Sequence, residues 1–278
     1  MKRPSIKNIS IQGIIFILII FSISIFCATT ASADYNPATG EDEVVLVSEA
    51  QEVQMGRTLA RDVEEKFGSV KDAGMQKRVS EVGQRIAIVC DRPELAYSFR
   101  VLEGKDLEED ERHNAFALPG GYVYIFKEMV DDTKSDDELA AVLAHEVGHI
   151  VAKHSVKKLQ SAIGMAGLGL LGIVTRPDSR TKTEASMAIG QLMMAYSRQA
   201  EFEADKLSVL YLKKAGFDPK AAVAFIDRML GKQLKDEIRQ YHYFRTHPYI
   251  SERKAMLNKD IEGRFAFDDY INAPPEAN

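Results

Sequence analysis

Cysteine is almost missing from this 278-residue chain, which has two, Cys27 and Cys90. Cys27 falls in an N-terminal stretch that reads as removable, so no intrachain disulfide can staple the remainder and a packed core must hold it together. An excess of positive charge is missing as well. The formal net charge is −5, which gives no electrostatic footprint for nucleic acid and sets that class of partner aside. Internal repeats are not visible, which excludes a solenoid or a propeller. Beyond the N-terminus there is also no apolar run that spans a bilayer comfortably. The nearest, Ile163 to Val174, is glycine-rich and too short.

What is present begins with Lys2, Arg3 and Lys7, followed by the apolar run Ile11 to Phe26 and then Ala31-Ser32-Ala33. A basic start, an apolar middle and an A-x-A end make residues 1–33 a secretory signal peptide, with the chain leaving the cytoplasm. A retained membrane anchor is the rival, because the run approaches the ~18 residues that can span a bilayer. Lipidation at Cys27 fits poorly, since Phe26 stands where a small residue is wanted. Without residues 1–33 the chain carries 33 Lys and Arg against 41 Asp and Glu. The remaining residues, about 245 of them, can bury one core. We expect a single domain over residues 34–262 and a disordered tail over 263–278.

The patterning is helix-rich, so the expected class is mainly α with a small β-sheet. Glu49 to Lys66 and Met75 to Val89 are amphipathic, and Tyr97 to Leu102 reads as a strand. Phe116, Leu118, Tyr122, Tyr124 and Phe126 alternate around Pro119-Gly120-Gly121, which describes a strand, a turn and a strand packed on a core. Further helices start at 136, near 182 and at Asp218-Pro219. The run 163–174 is expected to be a buried helix or a mobile flap, with membrane contact as the lesser reading.

One pentapeptide carries chemistry: His145-Glu146-Val147-Gly148-His149. On a helix, residues i and i+4 lie one above the other, so His145 and His149 can reach one metal ion. Glu146 flanks that ion and is the candidate general base, and zinc suits the donor set. Ser135 followed by Glu138 reads as a capping box, and Leu139, Val142, Leu143 and Val147 form a stripe that should bury the helix. Gly148 costs ~1 kcal/mol there relative to Ala, which is tolerable if another backbone or a substrate comes close.

A catalytic zinc site needs a third ligand. His154 is five residues past His149, about 140° round a continuous helix, so it reads as a structural residue at the helix end. The metzincin pattern fails, because Ala152 and Ser155 stand where it wants Gly and His. On a later helix Glu201 and Asp205 share a face, whereas Glu203 points roughly opposite. Glu201 is then the candidate third ligand. Asp205 either holds a ligand histidine by its other ring nitrogen or pairs with Arg198. The same E-x-E-x-D spacing also describes a solvated acidic face. His113 and His242 have no motif around them and are left structural or exposed.

The pair H-E-V-G-H and E-F-E-A-D, about fifty residues apart, resembles the CAAX-prenyl-protease-type zinc metallopeptidases, and most closely their soluble, exported bacterial branch. Tyr35 to Gly40, Ser48 to Glu52 with Gly56, Asn114 to Gly121, Thr246-His247-Pro248 and Glu252-Arg253 resemble further signatures of that branch, in order over residues 35–260. The resemblance implies a zincin-like domain with an active-site helix and a peptide-binding edge strand around Asn114 to Ala117. It implies one zinc ion on His145, His149 and Glu201, with Glu146 as base. It also implies His247 near the zinc, as a reversible fourth ligand or as a donor to the oxyanion, against the plainer reading of a loop histidine fixed by Pro248.

The function expected from this is a zinc metalloendopeptidase of the bacterial periplasm acting on unfolded or misfolded polypeptides, in quality control of exported or outer-membrane proteins. Peripheral membrane contact and envelope assembly partners would go with that role. A latent or non-proteolytic chaperone on the same fold, and a zinc hydrolase of another electrophile, are the alternatives.

Overall fold

A computed structural model describes residues 32–166, 182–236 and 242–263. The expected signal peptide up to residue 31, the C-terminal tail from 264 and the part of the glycine-rich run from 167 to 174 lie outside the described residues.

The chain opens with an antiparallel hairpin, β1 (Ser32–Asn36) and β2 (Glu41–Val45), turned at Gly40 with φ +79°. Helix α1 (Glu49–Phe67) follows, started by a complete capping box of Ser48 and Gln51. Helix α2 (Ala73–Ala87) is capped by Asp72, whose carboxylate accepts from the N–H groups of Gly74 and Met75. It begins and ends two residues earlier than its periodicity suggested.

A three-stranded sheet comes next: β3 (Ser98–Leu102), β4 (Ala115–Leu118) and β5 (Tyr122–Phe126), in the order β3-β5-β4. β3 runs parallel to β5 and β4 antiparallel to it, which leaves β4 on the outer edge. The turn Pro119–Gly121 joining β4 to β5 is pressed by α1 so closely that a Cβ on Gly56 would sit 1.9 Å from the Pro119 carbonyl oxygen. Only glycine fits there.

The pleat sends alternate side chains to two faces. Phe116, Leu118, Tyr124 and Phe126 pack with Met55, Leu59, Val63 and Phe67 of α1. Ala115, Ala117, Val123 and Ile125 face the other way, into the main core. The two alanines matter for function, because small side chains let a helix lie close to the edge strand.

After the short helix α3 (Lys127–Asp132), that helix is α4 (Asp136–Val151). Every residue of it from Glu138 to Val151 is buried. Ser135 caps it, its hydroxyl accepting from the Glu138 N–H. The reciprocal half of the expected box is missing, because the Glu138 carboxylate accepts from the Lys134 N–H and pairs with Arg228. Helix α5 (His154–Ala166) starts after a break at Lys153, whose φ is +54°. Helices α6 (Lys182–Leu192), α7 (Arg198–Ala215), α8 (Lys220–Asp236), α9 (His242–Thr246) and α10 (Ile250–Glu262) complete a mainly α fold with small sheets. Gly148 of α4 meets α7 backbone to backbone: a Cβ there would lie 2.8 Å from the Ala204 carbonyl oxygen. The expected close approach is therefore a neighbouring helix.

Candidate metal centre

Helix α4 delivers His145 and His149 one turn apart, with their Nε2 atoms 3.1 Å from each other. Helix α7, drawn in at Gly148, brings Glu201 to 3.5 Å from both Nε2 atoms. The turn after α9 adds His247, whose Nδ1 is 3.2 Å from His145 Nε2 and 3.1 Å from Glu201 Oε1. One ligand atom from each of the four lies within 4.8 Å of all the others, and all four residues are buried. With zinc–ligand bonds of 2.0–2.1 Å, the corners of a tetrahedron are about 3.3–3.4 Å apart. The nearest spacings, 3.1–3.5 Å, are close to that edge, although His145 and His149 approach different oxygens of Glu201, so the four residues form a group that could hold a metal ion.

The donors also point the right way. Asp205 Oδ1 is 2.8 Å from His145 Nδ1. An ionised carboxylate only accepts, so it holds a proton on Nδ1, and the proton that leaves when a cation binds is the one on Nε2, which faces the cluster. Of the two partners foreseen for Asp205, the structure makes the histidine. Arg198 instead pairs with Glu252, and the guanidinium on Asp205 is that of Arg253, at 2.8 Å from each carboxylate oxygen. Arg253 also donates to the His247 carbonyl oxygen at 3.1 Å and lies 2.9 Å from Glu201 Oε2. Arg253 belongs to the Glu252-Arg253 signature, in which nothing local marks it as a partner of Asp205.

His149 is oriented differently. Its ring stacks on Tyr196 at 4.0 Å and 23°, and its Nδ1 is 2.8 Å from Nδ1 of His154. The separation of about 140° between His154 and His149 holds only on a continuous helix. The break at Lys153 ends α4, and His154 starts α5 with its ring turned onto His149. His154 lies outside the group His145, His149, Glu201 and His247 but touches its member His149. Glu203 does leave the ligand cluster, but for His154 and Asn36 rather than for solvent. No local signal marked Lys153 as a break, and Tyr196 carried none either. His113 is buried against Asp132, and His242 is half-buried beside Arg245.

Charges in the cluster are strongly biased. Burial pushes Glu201 up, but Arg253, His247 and the two ligand histidines outweigh it and hold the carboxyl well below the usual range. Burial keeps His149 well below an ordinary histidine. Burial and Arg253 push His145 down, while Asp205 and Glu201 more than offset them and carry it up to about 9. Glu146 is raised, by burial above all. Among the described residues neither Glu146 oxygen has a hydrogen-bond partner, although the side chain is fully buried. An unpartnered carboxylate of this kind is costly. It stands beside the cluster, with Oε1 3.4 Å from His247 Nε2.

The edge strand has the predicted position but not the predicted exposure. Asn114 accepts from the Phe126 N–H, so by the antiparallel alternation Ala115 and Ala117 turn their backbone groups to the outer edge. Both are fully buried, and the Ala117 carbonyl accepts from Ser155. The segment carrying His247 docks beside it: Tyr243 N–H donates to the His113 carbonyl, and the Thr246 hydroxyl to the Asn114 side chain.

Comparison with known proteins puts this geometry in context. The profile of peptidase family M48 matches residues 74–261. The chain is 25% identical over 233 residues to the beta-barrel assembly-enhancing protease of Escherichia coli (strain K12), covering 81% of this chain and 46% of that protein. It is 33% identical over 187 residues to the mitochondrial metalloendopeptidase OMA1 of Schizosaccharomyces pombe, covering 65% and 51%. Against OMA1 of Arabidopsis thaliana it is 36% identical over 145 residues, covering 52% and 28%. The chain spans about half the length, or less, of these relatives.

Proposed function

The chain belongs to peptidase family M48, and on that premise we propose that it is a zinc-dependent endopeptidase of the bacterial envelope that cleaves unfolded or misfolded polypeptides. The observation that carries the reading is the convergence of His145, His149 and Glu201 in one buried group that could hold a metal, beside the buried Glu146 carboxylate, which has no hydrogen-bond partner among the described residues. Zinc held there would supply a Lewis acid that acidifies water and polarises the scissile carbonyl. The chain's own groups do the rest. Glu146, made more basic by burial, takes the proton of the attacking water and passes it to the departing amine. Asp205 and Arg253 keep His145 and Glu201 in place. Addition of an extended substrate to the outer edge of β4 requires that edge to be uncovered first, with the Ser155 hydroxyl released from the Ala117 carbonyl.

Placement outside the cytoplasm is supported by the basic, apolar and A-x-A pattern of residues 1–33. A role in quality control of exported or outer-membrane proteins is supported by the name of the Escherichia coli relative. Contact with the membrane surface and with envelope assembly partners belongs to the same proposal. Among the described residues no helix is long and apolar enough to cross a membrane.

A specific observation adds latency to this reading. His247 Nδ1 stands at the fourth corner, and Tyr243 and Thr246 lie against the entry to β4. The segment 242–247 thereby brings His247 into the cluster and docks just before β4, on His113 and Asn114. Cleavage of an unfolded labelled protein by wild type and His247→Ala, with chelator and after zinc return, tests both parts. Loss with chelator, recovery with zinc and faster cleavage by His247→Ala are expected. Cleavage indifferent to chelator would contradict the metallopeptidase. Zinc binding without cleavage by either protein would favour a chaperone.

A further inference from the structure

The two ligand histidines are oriented by different devices, and the second device reaches into the N-terminal hairpin. Glu203 Oε2 is 3.0 Å from His154 Nε2 and accepts from Asn36 Nδ2 at 2.8 Å, while Gln199 donates to its other oxygen at 2.8 Å. Asn36, Glu203 and His154 are all buried. A carboxylate accepts only, so the proton between Glu203 and His154 sits on His154 Nε2. That leaves a lone pair on His154 Nδ1, which can accept only if His149 Nδ1 carries a proton. His149 is then fixed in the tautomer whose Nε2 lone pair faces His145 and Glu201.

The hairpin is fastened to the same place. Asp34 and Glu43 pair with Lys153 and Lys157, the residues on either side of the turn that carries His154, and Lys206 donates to the Ala38 carbonyl. The hairpin and α1 lie outside the span matched by the family profile.

We infer that Asn36, Glu203 and His154 form a positioning relay that sets the tautomer and aim of His149, so that the N-terminal hairpin is part of the metal centre. The relay rests on reading His145, His149 and Glu201 as ligands. Its members touch neither the metal nor the substrate and act through His149.

The test is zinc affinity of the full chain, measured by competition with a chromophoric chelator, together with the visible spectrum of the cobalt-loaded protein. His154→Phe fills the space without hydrogen bonds and should lose about 10–100-fold in affinity, the usual effect of removing an orienting partner. His154→Gln can accept from His149 and donate to Glu203, and should stay within a few-fold of wild type with its cobalt spectrum retained. Asn36→Leu should weaken binding in the wild-type background and have no further effect with His154→Phe, because both act by one route. Wild-type affinity in His154→Phe, equal losses for Phe and Gln, or additive losses for Asn36→Leu would each overturn the relay. Circular dichroism of the metal-free variants separates these results from misfolding; if His154→Phe does not fold, the Gln and Leu variants still decide. A wild type that binds no zinc would instead overturn the ligand assignment.

Discussion

Replacing Arg253 with methionine takes one positive charge out from between two carboxylates that have almost no access to water. The guanidinium is 1% exposed, bridges both oxygens of Asp205 at 2.8 Å, lies 2.9 Å from Glu201 and donates to the His247 carbonyl. Removing one partner of a buried pair costs about 3–5 kcal/mol, because the remaining charge stays desolvated. Asp205 keeps His145 and Glu201 keeps His247, which places the expected loss near the lower end, about 3 kcal/mol. For a domain of this size that is a fall of roughly 6–12 °C in Tm. Arg253→Lys retains charge but cannot grip Asp205 with two parallel bonds and should fall between the two. Urea unfolding of all three proteins in chelator, followed by circular dichroism, gives the comparison. Stability of Arg253→Met within about 1 kcal/mol of wild type would refute the reasoning.

Gly148→Ala should lower stability and zinc affinity together. Its Cβ would meet the Ala204 backbone at 2.8–3.3 Å, and the overpacking cost of about 1–3 kcal/mol exceeds the helix-propensity gain; an unchanged zinc affinity would contradict this. Zinc binding at pH 7 should release close to one proton. In the metal-free protein His145 is carried up to about 9 and holds a proton at pH 7, whereas His149 and Glu201 are already held deprotonated. Release should fall towards zero as pH rises through about 9. Calorimetry in two buffers of different ionisation enthalpy measures it, and no release at pH 7 would contradict the assignment. Cys90, buried with its thiol pushed up by burial, should resist thiol reagents until the protein unfolds. Rapid labelling of the native protein would count against that packing.

What the sequence disclosed about the site is what helix periodicity can carry. His145, His149 and Glu146 were legible because their geometry is set by one helix. Glu201 and Asp205 share a face of another, which a solvated acidic face would also explain, and the family resemblance is what favoured Glu201 and pointed to His247. Gly148 was legible as a close approach, though not as an approach to Ala204. The rest depends on contacts between elements far apart in the chain. Arg253 reaches Asp205 across 48 residues and Asn36 reaches Glu203 across 167, and neither has a local pattern. His154 was misplaced because Lys153 adopts φ +54° without any glycine or proline to announce it. The strand, turn and strand were legible from alternation and the edge position from the family resemblance, but burial of that edge depends on contacts such as that of Ser155 with the Ala117 carbonyl, which no periodicity encodes.

The central claim is that His145, His149 and Glu201 hold zinc while Glu146 moves the proton. Cleavage of an unfolded protein by Glu146→Gln, with zinc content measured on the same sample, tests it most directly. The expected result is a full complement of zinc with cleavage reduced by 10²-fold or more, the usual worth of a general base. A zinc-loaded Glu146→Gln that cleaves as fast as wild type would contradict it.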